Sequence, residues 1–221
     1  IQKEFAATDY LYIADGHHRC ASAVRVGKKR REEHPGYTGN EEFNYILAVL
    51  FPDDQLFIMD YNRVVKDLNG MREDQFMAKV REKFDVQQYL TGTTPYHPEK
   101  KHMFGMYLNY KWYVITAKEG TYDDSDPVEG LDVSVLQNNL LAPILGIGDP
   151  RSDKRIDFVG GIRGLKELER RANGDMQIAF SMYPTAIEDL MKVANAGKVM
   201  PPKSTWFEPK LLSGLFVHEL D

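Results

Sequence analysis

Residues 12–26, YIADGHHRCASAVRV, contain a dense group of side chains that are able to do chemistry. A carboxylate can accept a proton or bind a metal through oxygen, and an imidazole can exchange a proton near neutral pH. A guanidinium can bind two phosphate oxygens at once. The residues concerned are consecutive in the chain: Asp15, Gly16, His17, His18 and Arg19.

The elements on either side of this group give it a position. Residues 9–15, DYLYIAD, are rich in Tyr, Leu and Ile and are predicted to form a strand, whereas the apolar spacing after His18 predicts a helix. The free N–H groups and dipole at a helix start favour anions, and Gly16 permits close approach of a phosphate. The alternative, which the sequence leaves open, is a simple helix start capped by Asp15 or Gly16.

A second group lies in MPPKSTWFEPK, residues 200–210, where Lys203, Ser204 and Thr205 resemble the last residues of a phosphate loop. Pro202 stands where that loop needs its second glycine and lacks the required N–H, so a Walker loop is excluded. An anion clamp made by these three residues with the second cation Lys210, or part of a substrate pocket, remains one interpretation. The sequence alone favours the other, an extended structural segment with aromatic residues in the core.

Composition limits the class of protein. A chain of 221 residues can form one large domain or two small ones, and its net charge of -5 argues against nonspecific nucleic-acid binding. The single cysteine, Cys20, excludes an internal disulfide and suits the reducing cytoplasm, where we expect the protein. No apolar run reaches the roughly 20 residues of a membrane span. His97 and His102 show no metal-ligand spacing, so we expect no metal site built by the protein alone.

The remaining patterns predict an α+β fold, with a mixed sheet and packed helices. Residues 44–52 read as a buried strand, 55–65 as its partner in a hairpin that leaves Arg63 at the surface, and 102–118 as a second hairpin turning at 109–111. The acidic stretch 120–130 separates two predicted domains, 1–125 and 126–221. Helices are predicted over 73–90, 131–148, 164–174 and 186–197, and further strands over 155–161 and 176–184.

Several of these segments resemble the domain of unknown function 1015 family, and the resemblance covers essentially the whole chain. The most specific is VANAGKVMPPKSTWFEPKLLSGL, residues 193–215. The others are YIADGHHRCASA, YNRVV and LDVSVLQNNLLAPILGI. Members of that family are longer at the N-terminus, and the chain starts IQKEF without a methionine. We therefore expect this sequence to be N-terminally incomplete.

The family is similar to the ParB/sulfiredoxin-like superfamily, in which a G-H-x-R-type motif between strand and helix contacts nucleotide phosphates. That superfamily includes partition proteins that bind CTP, sulfiredoxin, which uses ATP, and a free serine kinase. The resemblance implies a ParB/sulfiredoxin-like core in residues 1–125 that binds ATP, ADP or CTP with Mg²⁺. The matching residues are Gly16, His17, His18 and Arg19, with Asp15 as a base or Mg²⁺ contact.

Together these features predict a nucleotide-dependent phosphotransferase-like enzyme acting on a small hydroxyl-containing metabolite. Arg19 would hold phosphates, His17 or His18 would polarise the transferred group, and Asp15 would activate the hydroxyl or carry Mg²⁺. Lys203 would close the site. The alternative is a nonenzymatic nucleotide-binding regulatory or DNA-associated module, like the partition proteins. The acidic charge and the lack of a helix-turn-helix pattern disfavour a nucleic-acid partner.

Overall fold

A computed structural model describes residues 1–90, 94–212 and 214–220 of the chain. They form two compact units, the first from residues 1–57 and 207–221 and the second from residues 58–206. The predicted domain limit at 125/126 falls inside the second unit. A loop predicted over residues 91–101 lies partly outside the described residues, and so does Ser213 of the family-like segment 193–215.

The second unit is built on a six-stranded sheet whose strand order is β3-β5-β4-β7-β2-β6. Every pairing in this sheet is antiparallel. The strands are β2 (Tyr61–Val65), β3 (Phe84–Gln88), β4 (Met103–Leu108), β5 (Lys111–Ala117), β6 (Ile156–Gly160) and β7 (Ile178–Ser181). The strands β1 (Phe57–Met59) and β8 (Trp206–Glu208) form a separate two-stranded sheet.

Helices complete an α+β fold, as predicted, although the large sheet is antiparallel rather than mixed. In the second unit these are α3 (Glu73–Lys83), α4 (Asp132–Leu136), α5 (Lys166–Ala172) and α6 (Ile187–Asn195), and α4 continues as a π-helical turn, Gln137–Leu141. The first unit contains α1 (Gln2–Ala6) and α2 (His17–Glu33). None of the helices among the described residues is long and apolar enough to cross a membrane.

Alternation along the strands places apolar side chains on both faces of the large sheet. Val65 and Met106 belong to a core cluster that includes Phe76 of α3, whereas the neighbouring Val64 and Tyr107 pack in a second cluster with Leu168 of α5. Successive side chains of a strand point to opposite faces, so these two clusters lie on opposite sides of the sheet. Burial on both sides accounts for the long apolar runs of its central strands.

The predicted hairpin of β4 and β5 is confirmed, and its turn has a clear physical cause. Asn109 and Tyr110 both have positive φ, 48° and 61°. Two left-handed central residues match the twist of paired strands, which makes this the favoured two-residue hairpin turn. Asparagine tolerates this conformation more readily than most residues.

Two predicted strands in the first unit are wrong. Residues 9–15 and 44–52 contain no strand. Their apolar side chains are largely exposed; Tyr10 is 76% and Leu47 54% accessible. A strand exists only where a neighbour completes its hydrogen-bond ladder, and neither segment has such a neighbour among the described residues.

Two further predictions need correction in the second unit. The segment 55–65 is not one arm of a hairpin with 44–52, because β2 pairs with β6 and β7 instead. The helix predicted over 73–90 ends at Lys83, and the chain continues directly into β3. Phe84, predicted on the helix face with Phe76, is still buried, but as the first residue of that strand.

Gly105 tests the packing of the central strands. A Cβ at this position would collide with Ser181 Oγ and lie 3.0 Å from ring atoms of Trp112 and Tyr96. We expect Gly105→Ala to lower the free energy of unfolding by about 1 to 3 kcal/mol, as overpacking does. Urea denaturation measures the free energy of unfolding of this variant. Gly148→Ala, where nothing lies within 4 Å, is the matched control and should change stability by less than about 0.5 kcal/mol.

Candidate functional site

In the first unit, the start of α2 is an open helix end. Gly16 precedes the helix in the left-handed conformation, φ 87°, and no side chain caps it. The first intrahelical bond runs from the Cys20 N–H to the Gly16 carbonyl, 2.9 Å. The N–H groups of the three residues between them, 17–19, therefore have no partner in the described part of the chain. The helix predicted to begin near His18 is confirmed, and it begins one residue earlier, at His17.

Charged groups surround this helix end, which we call the elbow and define as residues 15–19. The Asp15 carboxylate accepts the Gly16 N–H through Oδ1 at 2.9 Å. Its Oδ2 lies 3.7 Å from Arg19 Nη2 and 3.6 Å from Lys210 Nζ. A Cβ on residue 16 would lie only 2.7 Å from Arg19 Nε, so glycine permits both the backbone conformation and the position of the guanidinium.

The elbow thus brings together several of the predicted site residues. Asp15, Gly16 and Arg19 are in mutual contact, and Lys210 joins them. His17 and His18 are exposed, and their side chains have no partner within the described ranges. The arrangement suits an anion, because N–H groups and cations face solvent together.

Asp15 does not fit the role of a preformed magnesium ligand. One of its oxygens is used by a backbone N–H, and the other lies beside two cations. Magnesium prefers free carboxylate oxygens and phosphate. Among the described residues, no group of three or more His, Cys, Asp or Glu side chains is arranged to hold a metal ion. We therefore derive no step through a metal.

In the second unit, the strand register gathers polar residues at one end of the large sheet. Tyr61 at the start of β2 pairs with Gly160 at the end of β6, and Gly105 near the start of β4 pairs with Ser181 at the end of β7. Most of the buried polar side chains of this unit lie at or beside this sheet end. They are Asp60, Asn62, Arg63, Asp132, Ser181, Asp189 and Ser204.

Arg63 is the most heavily buried charge of this group, with 4% of its surface accessible. Its guanidinium donates to the carbonyl of Tyr61 and, at 3.0 Å, to that of Lys203, and it lies over the Phe158 ring. Burial lowers the pKa of Arg63 to about 10, so it stays protonated at neutral pH. The expected surface position of Arg63 is therefore wrong, because backbone carbonyls at the sheet end satisfy its donors.

Lys203 is held beside this buried arginine. It has a positive φ of 59°, and its ammonium donates to the Tyr61 hydroxyl at 3.2 Å. The same ammonium lies 5.4 Å from the Tyr61 ring centre and 5.9 Å from that of Phe158. The side chain is exposed, so it is a solvent-facing cation in a defined position.

Ser204 and Thr205 differ in their availability. Ser204 is buried, its hydroxyl donates to the Pro201 carbonyl at 2.6 Å, and its own carbonyl accepts the Thr185 hydroxyl. Those contacts give Ser204 a structural part in the turn. Thr205 is partly exposed beside it.

Asp60 and Asn62, which sequence reasoning did not single out, are linked in the same sheet end. The Asn62 amide donates to the Asp60 carboxylate, and its oxygen accepts the Met182 N–H at 2.9 Å. Gly161 donates to the Asp60 carbonyl, and a Cβ there would collide with the Asp60 carboxylate. The sequence signal that could have identified these two residues is the polar stretch DYNR, residues 60–63, which interrupts an apolar strand pattern.

Two surface cavities lie away from these residues. One, of about 660 Å³, lies between α3 and the strands β3 and β5, beside Arg72 and Tyr113. The other, of about 690 Å³, lies in the first unit beside His34 and Tyr37. Neither is lined by a predicted site residue.

Because the Arg63 guanidinium is buried, we expect even a substitution that keeps its positive charge to lower the stability of the fold. Arg63→Lys should lower the free energy of unfolding by about 2 kcal/mol, because one ammonium cannot satisfy two carbonyls in a fixed fork. Arg151→Lys, on an exposed arginine paired with Asp149, is the control and should change stability by less than about 0.5 kcal/mol. Urea denaturation of both variants compares them, and equal effects would refute a fork-specific role for Arg63.

Comparison with known proteins adds the following. A free serine kinase mutant in complex with AMP has 16% sequence identity and a TM-score of 0.45, covering 88% of this chain and 66% of that chain. The complex of such a mutant with ADP has 17% sequence identity and a TM-score of 0.44, and the match covers 88% of this chain and 66% of that chain. The chain therefore spans less than two thirds of the kinase. A conserved hypothetical protein from Pyrococcus furiosus has 18% sequence identity and a TM-score of 0.46, and the match covers 90% of this chain and 71% of that chain.

No curated protein matches the chain. The family model described as "Protein of unknown function (DUF1015)" matches residues 1–134, more than half of the 221 residues. The matched residues include the elbow and the strands β2 to β5 of the large sheet. The chain therefore belongs to the DUF1015 family.

Proposed function

We propose that this chain is a nucleotide-dependent phosphotransferase-like enzyme that acts on a small hydroxyl-containing metabolite. The observation that carries the proposal is the elbow, where three unpartnered N–H groups stand beside the Arg19 guanidinium. Such a helix start binds phosphate through its N–H groups and its dipole, and an arginine adds a two-pronged donor. ATP, ADP or CTP are the nucleotides we propose. A ParB/sulfiredoxin-like relationship would imply the same use of these residues.

Phosphoryl transfer depends mainly on positioning and on neutralising charge. In the proposed step, the substrate oxygen forms a bond to the terminal phosphorus while the bond from that phosphorus to the departing nucleotide oxygen breaks, which releases a nucleoside diphosphate from ATP or CTP and AMP from ADP. Arg19 and the helix N–H groups hold the phosphates, and His17 or His18 donates to the transferred group. Asp15 accepts the hydroxyl proton through Oδ2, since Oδ1 already accepts the Gly16 N–H.

Lys203 supports an anion-binding role in the second unit. Its ammonium is fixed by Tyr61 and exposed to solvent, and Thr205 offers a hydroxyl in the same turn. We propose that these two residues bind an anionic group of a ligand. Ser204 instead keeps the turn closed through its bond to Pro201.

The elbow predicts which substitution removes nucleotide binding. Arg19→Ala should weaken ATP, ADP or CTP binding about tenfold or more, because a charge-assisted hydrogen bond contributes about 1.5 to 3 kcal/mol. His18→Ala should also weaken it. Calorimetric titration of the chain measures both, and circular dichroism checks that α2 is intact.

Arg25→Ala is the matched control, because it removes the same charge from an exposed position of the same helix. It should leave nucleotide affinity within about twofold, which is the range expected of distant surface charges. Equal losses of nucleotide affinity in Arg19→Ala and Arg25→Ala would show that the positive charge of α2 attracts nucleotides nonspecifically. Unchanged affinity in both Arg19→Ala and His18→Ala would contradict the proposal.

One observation favours the DNA-associated alternative. Gly27 is the only buried residue of α2, and the helix presents a series of cations to solvent. The exposed ones are Arg19, Arg25, Lys28, Lys29 and Arg31. A basic, exposed helix suits a phosphate backbone.

The same control variant distinguishes the two functions. If α2 binds DNA, retention on immobilised duplex DNA should fall steeply as salt rises, and Arg25→Ala should weaken it. If the elbow serves a nucleotide alone, the chain should pass through the DNA column near physiological salt. Retention there would favour the DNA-associated module over the enzyme.

A further inference from the structure

His102 bridges two carboxylates at the start of β4, a position that neither function uses. Its Nε2 lies 3.0 Å from Asp124 Oδ1, and its Nδ1 lies 3.3 Å from Asp132 Oδ1. The ring stacks on Tyr122 with centres 3.9 Å apart, and only 12% of the side chain is accessible. The imidazole is therefore enclosed between α4 and the acidic segment, residues 120–130.

The backbone of His102 is also held in place. It adopts a positive φ of 63°, which is unfavourable for a residue with a Cβ. Its N–H donates to Asp132 Oδ1 at 2.8 Å. Asp132 thus contacts both the backbone and the ring, and this fixes the imidazole facing the acidic segment.

Two carboxylates on opposite ring nitrogens require two ring protons. A neutral imidazole carries one N–H, so it can donate to Asp132 or to Asp124 and leaves a lone pair facing the other carboxylate. The imidazolium hydrogen-bonds Asp124 through Nε2 and places its positive charge 3.3 Å from Asp132, an ion-pair contact at Nδ1. The geometry therefore matches the protonated ring, and loss of one proton removes an attraction and creates a repulsion.

The acidic segment has other attachments, and these determine what a change at His102 can release. Asp126 pairs with Lys198, and the Asn139 amide donates to the Thr121 carbonyl at 2.8 Å. Tyr122 and Val128 pack against the core. His102 is the contact on this segment that titrates near neutral pH, since aspartate and lysine titrate far from it.

We propose that His102 is a pH-dependent latch, closed on the acidic segment when its imidazole is protonated and open when the imidazole is neutral. The open state loosens residues 121–125, while Asp126 and Val128 keep the following part attached. Because Asp126 also holds Lys198, the latch adjoins the segment that leads to Lys203.

The two carboxylates nearest the latch act in the same direction. Asp132 of α4 and Asp124 of the acidic segment both favour the imidazolium. Asp189 of α6 is already paired with Lys101 at 2.6 Å, and the Asp123 carboxylate accepts from Ser125. From β2, the buried Arg63 interacts electrostatically with Asp132 and partly offsets its negative charge.

The direction of the titration agrees with this geometry. The nearby Asp132 carboxylate raises the pKa of His102, burial opposes the shift, and Asp124 adds to it. Because the pKa is raised in the folded state, the latch contributes its full stability below about pH 6.5, the ordinary histidine value. That contribution is lost as the pH rises through the folded-state pKa.

Hydrogen exchange of the chain, followed by mass spectrometry, tests the latch. We expect the protection of amides 121–125, corrected for intrinsic exchange rates, to fall about tenfold between about pH 6 and about pH 9. The β4–β5 hairpin should keep its protection and serve as the internal reference. Equal protection of 121–125 at both pH values would overturn the proposal.

Two variants and a control assign the effect to the ring. Asp124→Asn, at a side chain that is 66% accessible, should give low protection at both pH values without disturbing the core. His102→Gln should do the same. His97→Gln, which removes an imidazole whose one polar contact among the described residues is with the Pro98 carbonyl, should behave as the unmodified chain. A pH-dependent fall that persists in Asp124→Asn would also overturn the latch.

Discussion

Buried polar groups must find hydrogen-bond partners, and this requirement organises the end of the large sheet. The Arg63 guanidinium meets it with the carbonyls of Tyr61 and Lys203, the latter 140 residues away in sequence. The bond to the Lys203 carbonyl joins the start of β2 to the segment before β8. The exposed position of the Lys203 ammonium, over Tyr61 and Phe158, depends on that buried charge. One interaction therefore fixes both the packing and the cation of this sheet end.

At the elbow the same requirement has a different outcome. The first turn of α2 leaves its N–H groups open to solvent, with Gly16 unable to cap them and Asp15 engaged with its own neighbour. Open N–H groups at a surface cost little free energy, because water can satisfy them. They are also ready to exchange that water for a phosphate. Arg19, lying against Gly16, adds charge at the same place.

Sequence reasoning succeeded where local physics decides the structure. The turn at Asn109 and the stop at Gly197, which has φ 65°, follow from residue conformation and were predicted correctly. Residues 9–15 and 44–52 were predicted as strands because apolar composition does not show whether a pairing partner exists. The elbow was predicted from residues adjacent in sequence. Arg63 was missed because its partner Lys203 is brought close only by the fold.

Phosphate binding at the elbow is the central claim, and backbone amide shifts in a nuclear magnetic resonance titration with ATP test it most directly. The account predicts that the amide protons of His17, His18 and Arg19 move downfield together and saturate at one affinity. Amides in the middle of α2 should move little. ATP binding that leaves these three amides unchanged, or no binding by the chain, would contradict the account.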